Sequence, residues 1–196
     1  YEIRLSLGGS EMCIRDRVHG MQRPGMQYGR EPLAYYHRGG PFDDVLTATH
    51  RKSAPVTVGL VGLGAGALAA YAEPGDRFRF FELDPGVARI AADPGLFTYL
   101  RDCRGSVNVV LGDARRMLAH EADGQFDTLI LDAYSSDAIP THLLSREALR
   151  LYGSKITPDG ILAFHITNRF LDLQPVLARL ADEAGLAALI RDETHQ

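Results

Sequence analysis

The feature that most constrains this chain is an apolar run that breaks into a glycine-rich turn, with an acid about twenty residues further on. VTVGLVG (Val56–Gly62) is a continuous apolar stretch suited to a strand buried on both faces, and it leads into Gly62-Leu63-Gly64-Ala65-Gly66-Ala67. Glycines at such a point let the chain turn tightly and let a ligand approach the backbone with no Cβ in the way. RFRFFEL (Arg77–Leu83) reads as a second strand, with Glu82 at its C-terminal end. A carboxylate in that place can accept both hydroxyls of a ribose. Strand, glycine turn, helix and acid at this spacing predict a nucleoside-binding site of Gly62, Gly64, Gly66 and Glu82.

The rest of the chain repeats the alternation. VNVVLGD (Val107–Asp113), FDTLILD (Phe126–Asp132), ILAFHIT (Ile161–Thr167) and LAALIRD (Leu186–Asp192) read as strands three to six. Between them lie helical stretches at Ala67–Ala72, Pro85–Ala92, from Ala114 to about His120, Ser145–Lys155 and Leu173–Gly185. Asp84 is placed to cap the second of these, with Pro85 at its first position, and Pro158-Asp159-Gly160 reads as a turn. Strands separated by helices imply βαβ units and a mostly parallel sheet with helices on both faces. The expectation is a Rossmann-like α/β domain over residues 51–196.

Open α/β sheets bind ligands at the C-terminal ends of their strands, and Glu82, Asp113 and Asp132 all collect there. The turn also fits the dinucleotide pattern G-x-G-x-x-A. A pyrophosphate is anionic, however, and three carboxylates would repel it, whereas a sulfonium nucleoside or an amine would be attracted. The sign of the charge favours S-adenosylmethionine or its decarboxylated relative over a nicotinamide dinucleotide. Asp113 has a second reading as the N-cap of the following helix, and Asp132 a second reading as the cap of the loop after strand four.

Composition narrows the class. A net charge of −4, with 19 Arg and two Lys scattered along the chain, gives no basic stripe for a nucleic acid. No run approaches the ~20 apolar residues that cross a bilayer, and no secretory leader opens the chain. Cys13 and Cys103 are too few for a disulfide framework or a metal site, so the expectation is a reduced, cytoplasmic setting with no metal. Residues 1–17, YEIRLSLGGSEMCIRDR, show neither helical nor strand periodicity and resemble a translated sequencing-adapter peptide, so they are set aside as non-native. Residues 18–50 are expected to hold two or three short strands around HGMQ, Tyr28 and PLAYYH, with a break at Gly39-Gly40-Pro41 and a polar connector at Thr47–Ser53.

As a set, VGLVGLGAGALAAYA, FFELDPGVARIA, VVLGDARRML and FDTLILDAYSSDAIPTHLL resemble the spermidine synthase family, from about Val18 to the end. The resemblance is strongest to bacterial spermidine synthase-like proteins, some of which are fused to a membrane transporter-like region outside the residues read here. It implies a class I methyltransferase fold and transfer of an aminopropyl group from decarboxylated S-adenosylmethionine to a polyamine such as putrescine. It further implies that Glu82 binds ribose, Asp113 the adenine amino group, and Asp132 acts as the catalytic carboxylate. Asp137 would be its companion, set off by two extra residues, and Gln22, Tyr36 and His37 would help line the substrate pocket. One departure is Ala65, where the family's turn usually carries an Asp that pairs with the aminopropyl ammonium. That departure keeps ordinary S-adenosylmethionine, a methyltransferase on a small nucleophile and a non-catalytic cofactor-binding module as alternatives. His165, near the end of strand five, is read more readily as a satisfied buried histidine than as substrate-facing. The chain stops at Gln196 with no residues for a seventh, antiparallel strand. An incomplete sheet with an exposed edge is therefore expected, an association hazard that admits a homodimer.

Overall fold

The computed structural model describes residues 2–6, 9–14, 17–23, 30–133, 140–166 and 172–191. Its centre is a five-stranded parallel sheet of β4 (Thr57–Val61), β5 (Arg77–Glu82), β6 (Ser106–Leu111), β7 (Phe126–Leu131) and β8 (Ile156–Phe164). The strand order is β6-β5-β4-β7-β8. The chain starts in the middle at β4, winds outward to β6, then returns across the sheet to β7 and β8. The winding direction reverses between β4 and β7, and a crevice opens at such a switch point.

The sequence explains which strands are central. β4 and β7 are buried along nearly their whole length, as apolar runs covered on both faces must be. Side chains alternate across the sheet. Val58, Leu60, Phe78, Phe80 and Ile130 join the core on one face. Val61, Phe81, Leu129 and Leu131 join the core on the other. Around the sheet lie α2 (Pro85–Ala92), capped by Asp84, α3 (Ala114–Ala119), capped by Asp113, and α4 (Arg146–Lys155), capped by Ser145. α5 (Gln174–Glu183) ends in a Schellman motif, in which Gly185 at φ 69° sends its N–H to Asp182 O and Leu186 sends its N–H to Ala181 O.

Five expectations need correction. The described residues of the segment 18–50 are not mainly strand: one strand, β3 (Arg17–Gln22), is followed by a 3-10 turn at Ala34–Tyr36 and by α1 (Pro41–Lys52), while Tyr28 lies outside the described residues. Pro41 opens α1, Asp43 and Asp44 lie in its first turn, and His50, Arg51 and Lys52 lie in its last, as a helix dipole favours. Phe42, Leu46 and Thr49 form its buried face, so the polar-looking connector was the end of a helix. Second, residues of the segment set aside pair as strands: β1 (Glu2–Ser6) with β2 (Gly9–Ile14), and β2 with β3, all antiparallel. Third, the short helix expected at Ala67–Ala72 is a fully buried 3-10 helix that ends one residue earlier, at Tyr71.

Fourth, Pro158-Asp159-Gly160 lies inside β8. The pairs Phe126↔Ile156 and Thr128↔Ile161 show β8 advancing five residues while β7 advances two, so the turn residues bulge out of the ladder. Fifth, residues 186–191 form no strand. A strand needs a partner, and this segment is tied instead to the end of α5 and, through Arg191 Nε to Asp44 Oδ2 at 2.8 Å, to α1. No described helix is long and apolar enough to cross a membrane.

Candidate active site at the C-terminal rim of the sheet

The ladder hydrogen bonds continue one step past the strands and fix the rim. His165 N–H reaches Leu131 O, Asp132 N–H reaches Val61 O, and Gly62 N–H reaches Phe81 O, each at 2.9 Å. Gly112 N–H reaches Glu82 O at 2.9 Å. The residues that follow β8, β7, β4 and β6 are thus held in one row with the last residue of β5. Gly62 has φ 97°, and a Cβ there would overlap the Asp132 carbonyl. Only glycine lets the turn after β4 pass this close to Asp132.

Glu82 is 8% exposed, and both of its oxygens are held by the backbone. Oε2 accepts Leu63 N–H at 3.0 Å, from the glycine turn, and Oε1 accepts Asp84 N–H at 2.8 Å. Each carboxylate oxygen retains a further lone pair, and two such acceptors side by side suit the vicinal hydroxyls of a ribose. Burial pushes the Glu82 carboxyl above its ordinary range, against the opposing pull of the Asp84 and Leu63 N–H groups. Beside it Leu83 and Leu111 are 71% and 53% exposed. They are exposed apolar side chains on the same rim that the reading of charges passed over.

Asp132 stands two strand positions from Glu82, roughly 10 Å along the rim. Its carboxylate is gripped by side chains. Tyr36 donates its hydroxyl to Oδ2 at 2.7 Å, and His165 Nδ1 meets Oδ1 at 2.7 Å. The Asp132 side chain is 10% exposed and that of His165 is 17%. The imidazole is flanked by Tyr35 and by Phe42 of α1, with ring centroids at 5.5 and 5.6 Å. Tyr36 is itself placed by Tyr71, whose buried hydroxyl donates to Tyr36 O at 2.7 Å and to His37 O at 3.1 Å. The turn that carries these aromatics begins with Ala34 at φ 55°, a conformation that costs a non-glycine residue free energy.

The remaining expected residues fall in different places. Asp113 caps α3 through Oδ1 to Arg116 N–H at 3.0 Å and lies 3.8 Å from His142 Nε2, so the capping reading holds and its other oxygen faces His142. Gln22 is 4% exposed, and its amide is bound at both ends to Thr98. Tyr99 ties Met21 O and Glu31 O to the same loop. This end of the N-terminal segment closes against the glycine turn, since a Cβ on Gly20 would overlap Cβ of Ala65. The His37 ring lies against Gly40. Asp137 lies outside the described residues. Cys103 packs against the core, and burial pushes its thiol up, away from a reactive thiolate. No group of three metal-ligating side chains occurs among the described residues.

No family model matches the chain. A polyamine aminopropyltransferase from Vibrio vulnificus is 33% identical over 121 residues, which are 59% of this chain and 38% of that protein. A probable spermidine synthase from Corynebacterium glutamicum superposes with a TM-score of 0.65 at 18% identity, over 83% of this chain and 59% of that one. The spermidine synthase of Thermotoga maritima superposes with a TM-score of 0.55 at 18% identity, over 76% of this chain and 50% of that one. The chain therefore spans about two fifths of the curated relative's length and is similar to that relative in sequence. The fold is the Rossmann-like, class I methyltransferase type.

Proposed function

We propose that this chain is the nucleoside-binding and catalytic part of an aminopropyltransferase of the spermidine synthase type. Its co-substrate is decarboxylated S-adenosylmethionine and its acceptor an amine such as putrescine. The observation that carries this reading is Asp132. It is a nearly buried carboxylate beside a glycine turn, aligned by Tyr36 and His165, on the same rim as a second buried carboxylate, Glu82. The sequence similarity to a polyamine aminopropyltransferase supports it.

The chemistry follows from the charges. A sulfonium carbon is attacked by an amine and releases a neutral thioether, so the leaving group needs no acid. The amine does need help, because an alkylammonium has no lone pair. Glu82 holds the ribose, the apolar Leu83 and Leu111 flank the adenine position, and Asp113 takes the adenine amino group with the oxygen that does not cap α3. Asp132 receives the acceptor's ammonium, orients it and takes up its proton. Asp137 assists as a second carboxylate. Holding nitrogen and carbon in line at about 3–3.5 Å supplies much of the acceleration. Gln22 acts by fixing the loop at Thr98, and His37 borders the acceptor.

A second reading, methyl transfer from S-adenosylmethionine, is favoured by one observation. Ala65 puts a methyl group against Gly20 and no carboxylate in the glycine turn, so nothing there repels a carboxylated co-substrate. The two readings separate when the protein is given either sulfonium compound with putrescine and the products are weighed by mass spectrometry. An amine heavier by one aminopropyl group supports the first reading, and one heavier by a methyl group supports the second. Binding of either compound without any product leaves a non-catalytic module.

A further inference from the structure

Asp113 spends one of its oxygens on the fold. Oδ1 accepts Arg116 N–H at 3.0 Å and caps α3. Oδ2 faces His142 Nε2 at 3.8 Å. That distance is beyond hydrogen-bond reach, so the two groups stand opposite each other without satisfying each other. Their side chains are 37% and 54% exposed, so a ligand can reach both.

Neither group is free to drift. The cap holds Asp113, and the Gly112 N–H that reaches Glu82 O at 2.9 Å sets it on the rim. His142 belongs to the 3-10 helix Thr141–Leu144, whose Leu143 and Leu144 are buried. Its carbonyl accepts Arg115 Nη1 of α3 at 2.9 Å, and the next carbonyl, Leu143 O, accepts the Tyr152 hydroxyl of α4 at 3.2 Å. The backbone at His142 is thus clamped between two helices while its ring stays outside. The exposed side chain of Leu111, two residues before Asp113, offers apolar surface to a planar ring nearby.

The two groups have opposite hydrogen-bonding sense. An ionised carboxylate only accepts. The imidazole nitrogen that faces a negative charge is the one that keeps its hydrogen, so Nε2 donates. An acceptor beside a donor complements a ring with an amino group next to an unprotonated ring nitrogen. Adenine presents that pattern along its 6-amino and N7 edge. The amino group also neighbours N1, but more closely, and a gap of 3.8 Å suits the wider spacing to N7. A 6-oxo purine would set its oxygen against the Asp113 carboxylate and be repelled. Resting on the nucleoside site proposed above, we infer that His142 is an adenine-recognition residue, which donates Nε2–H to N7 while Asp113 Oδ2 accepts from the 6-amino group.

The test changes one atom of the ligand and one side chain of the protein. Methylthioadenosine and its 7-deaza analogue, in which C–H replaces N7, are titrated calorimetrically into wild type and His142→Ala. Truncation spares the fold, because the His142 ring is exposed and the group that anchors the residue is its backbone carbonyl. Wild type should prefer methylthioadenosine by about five- to tenfold, the value of one neutral hydrogen bond. His142→Ala should bind the two compounds within about twofold of each other, as such a cycle requires when the contact is direct. A preference that survives unchanged in His142→Ala, or is absent from wild type, would overturn the inference and leave the nucleoside site standing. Wild type that binds neither compound would overturn both. A protein that binds as expected and transfers no aminopropyl group would support the inference and defeat the proposed reaction.

Discussion

Among the described residues, two Asp–His pairs share the same 2.7 Å contact, at opposite ends of one sheet. Asp76 precedes β5 at the N-terminal edge and is 2% exposed. Besides His50 Nε2 it accepts backbone N–H from Val56 at 2.9 Å and from Glu73 at 2.8 Å, and the other nitrogen of His50 meets Leu46 O at 2.8 Å. Every partner named there is backbone or the pair itself, so the network splices the end of α1 to the starts of β4 and β5. Asp132 sits at the C-terminal edge, beside the switch point, and its partners are the side chains of Tyr36 and His165. On the proposed function, identical chemistry serves as a fastening at one end and as a reactive group at the other. What differs is whether backbone or side chains surround the carboxylate, and whether the strand ends or begins there.

The strongest way to break this comparison is to neutralise each aspartate. Asp132→Asn is expected to lower kcat by about 10²- to 10⁴-fold while melting within a few degrees of wild type. Asp76→Asn should do the reverse. Removing one partner of a buried pair costs about 3–5 kcal/mol, read as a Tm lower by roughly 10 °C, with kcat of the folded fraction unchanged. Calorimetric melting curves and single-turnover rates on both proteins check this. A stable Asp76→Asn, or an unstable and fully active Asp132→Asn, would erase the distinction.

A smaller effect is expected at Glu82. Glu82→Gln should weaken nucleoside binding about 10- to 100-fold, the value of one or two hydrogen bonds to a charged group. Because burial raises the Glu82 carboxyl, wild-type affinity should hold at neutral pH and fall as the solution is acidified through a range above that of an ordinary glutamate. The sign for stability is the same for any raised carboxyl. Its contribution is fully present below the unfolded value and is lost as pH rises through the folded one. Affinity measured against pH should therefore slope in wild type and be flat in Glu82→Gln. The smallest effect belongs to Tyr36→Phe, which removes one hydrogen bond to the Asp132 carboxylate and leaves the His165 contact in place. About 1.5 kcal/mol, the low end for a hydrogen bond to a charged group, should appear as about a tenfold loss of kcat/KM with Tm nearly unchanged.

The two ends of the sheet also differ in how legible they were. Gly62, Glu82 and Asp132 stand out in the sequence because each ends an apolar run, and the parallel ladder then carries them to one rim. The partners of Asp132 carry no such mark. Tyr36 reaches it across 96 residues, through a turn whose shape depends on Ala34 at positive φ and on Tyr71. His165 looked like an ordinary core histidine because nothing local shows that β8 lies beside β7 in this register. α1 was obscured for a related reason. Its buried face is Phe42, Leu46 and Thr49, and a threonine on that face dilutes the apolar period that reveals a helix. Asp76, at the other rim, drew no attention, since a turn aspartate looks solvated until a histidine from another element closes over it.

The most direct test of the division of labour on the rim is a calorimetric titration of one sulfonium nucleoside into three proteins: wild type, Glu82→Gln and Asp132→Asn. The expected result is that Asp132→Asn binds within about threefold of wild type, while Glu82→Gln loses 10- to 100-fold, the value of its charged hydrogen bonds. Equal losses in both variants, or none in either, would contradict the claim that Glu82 holds the nucleoside and Asp132 serves the amine.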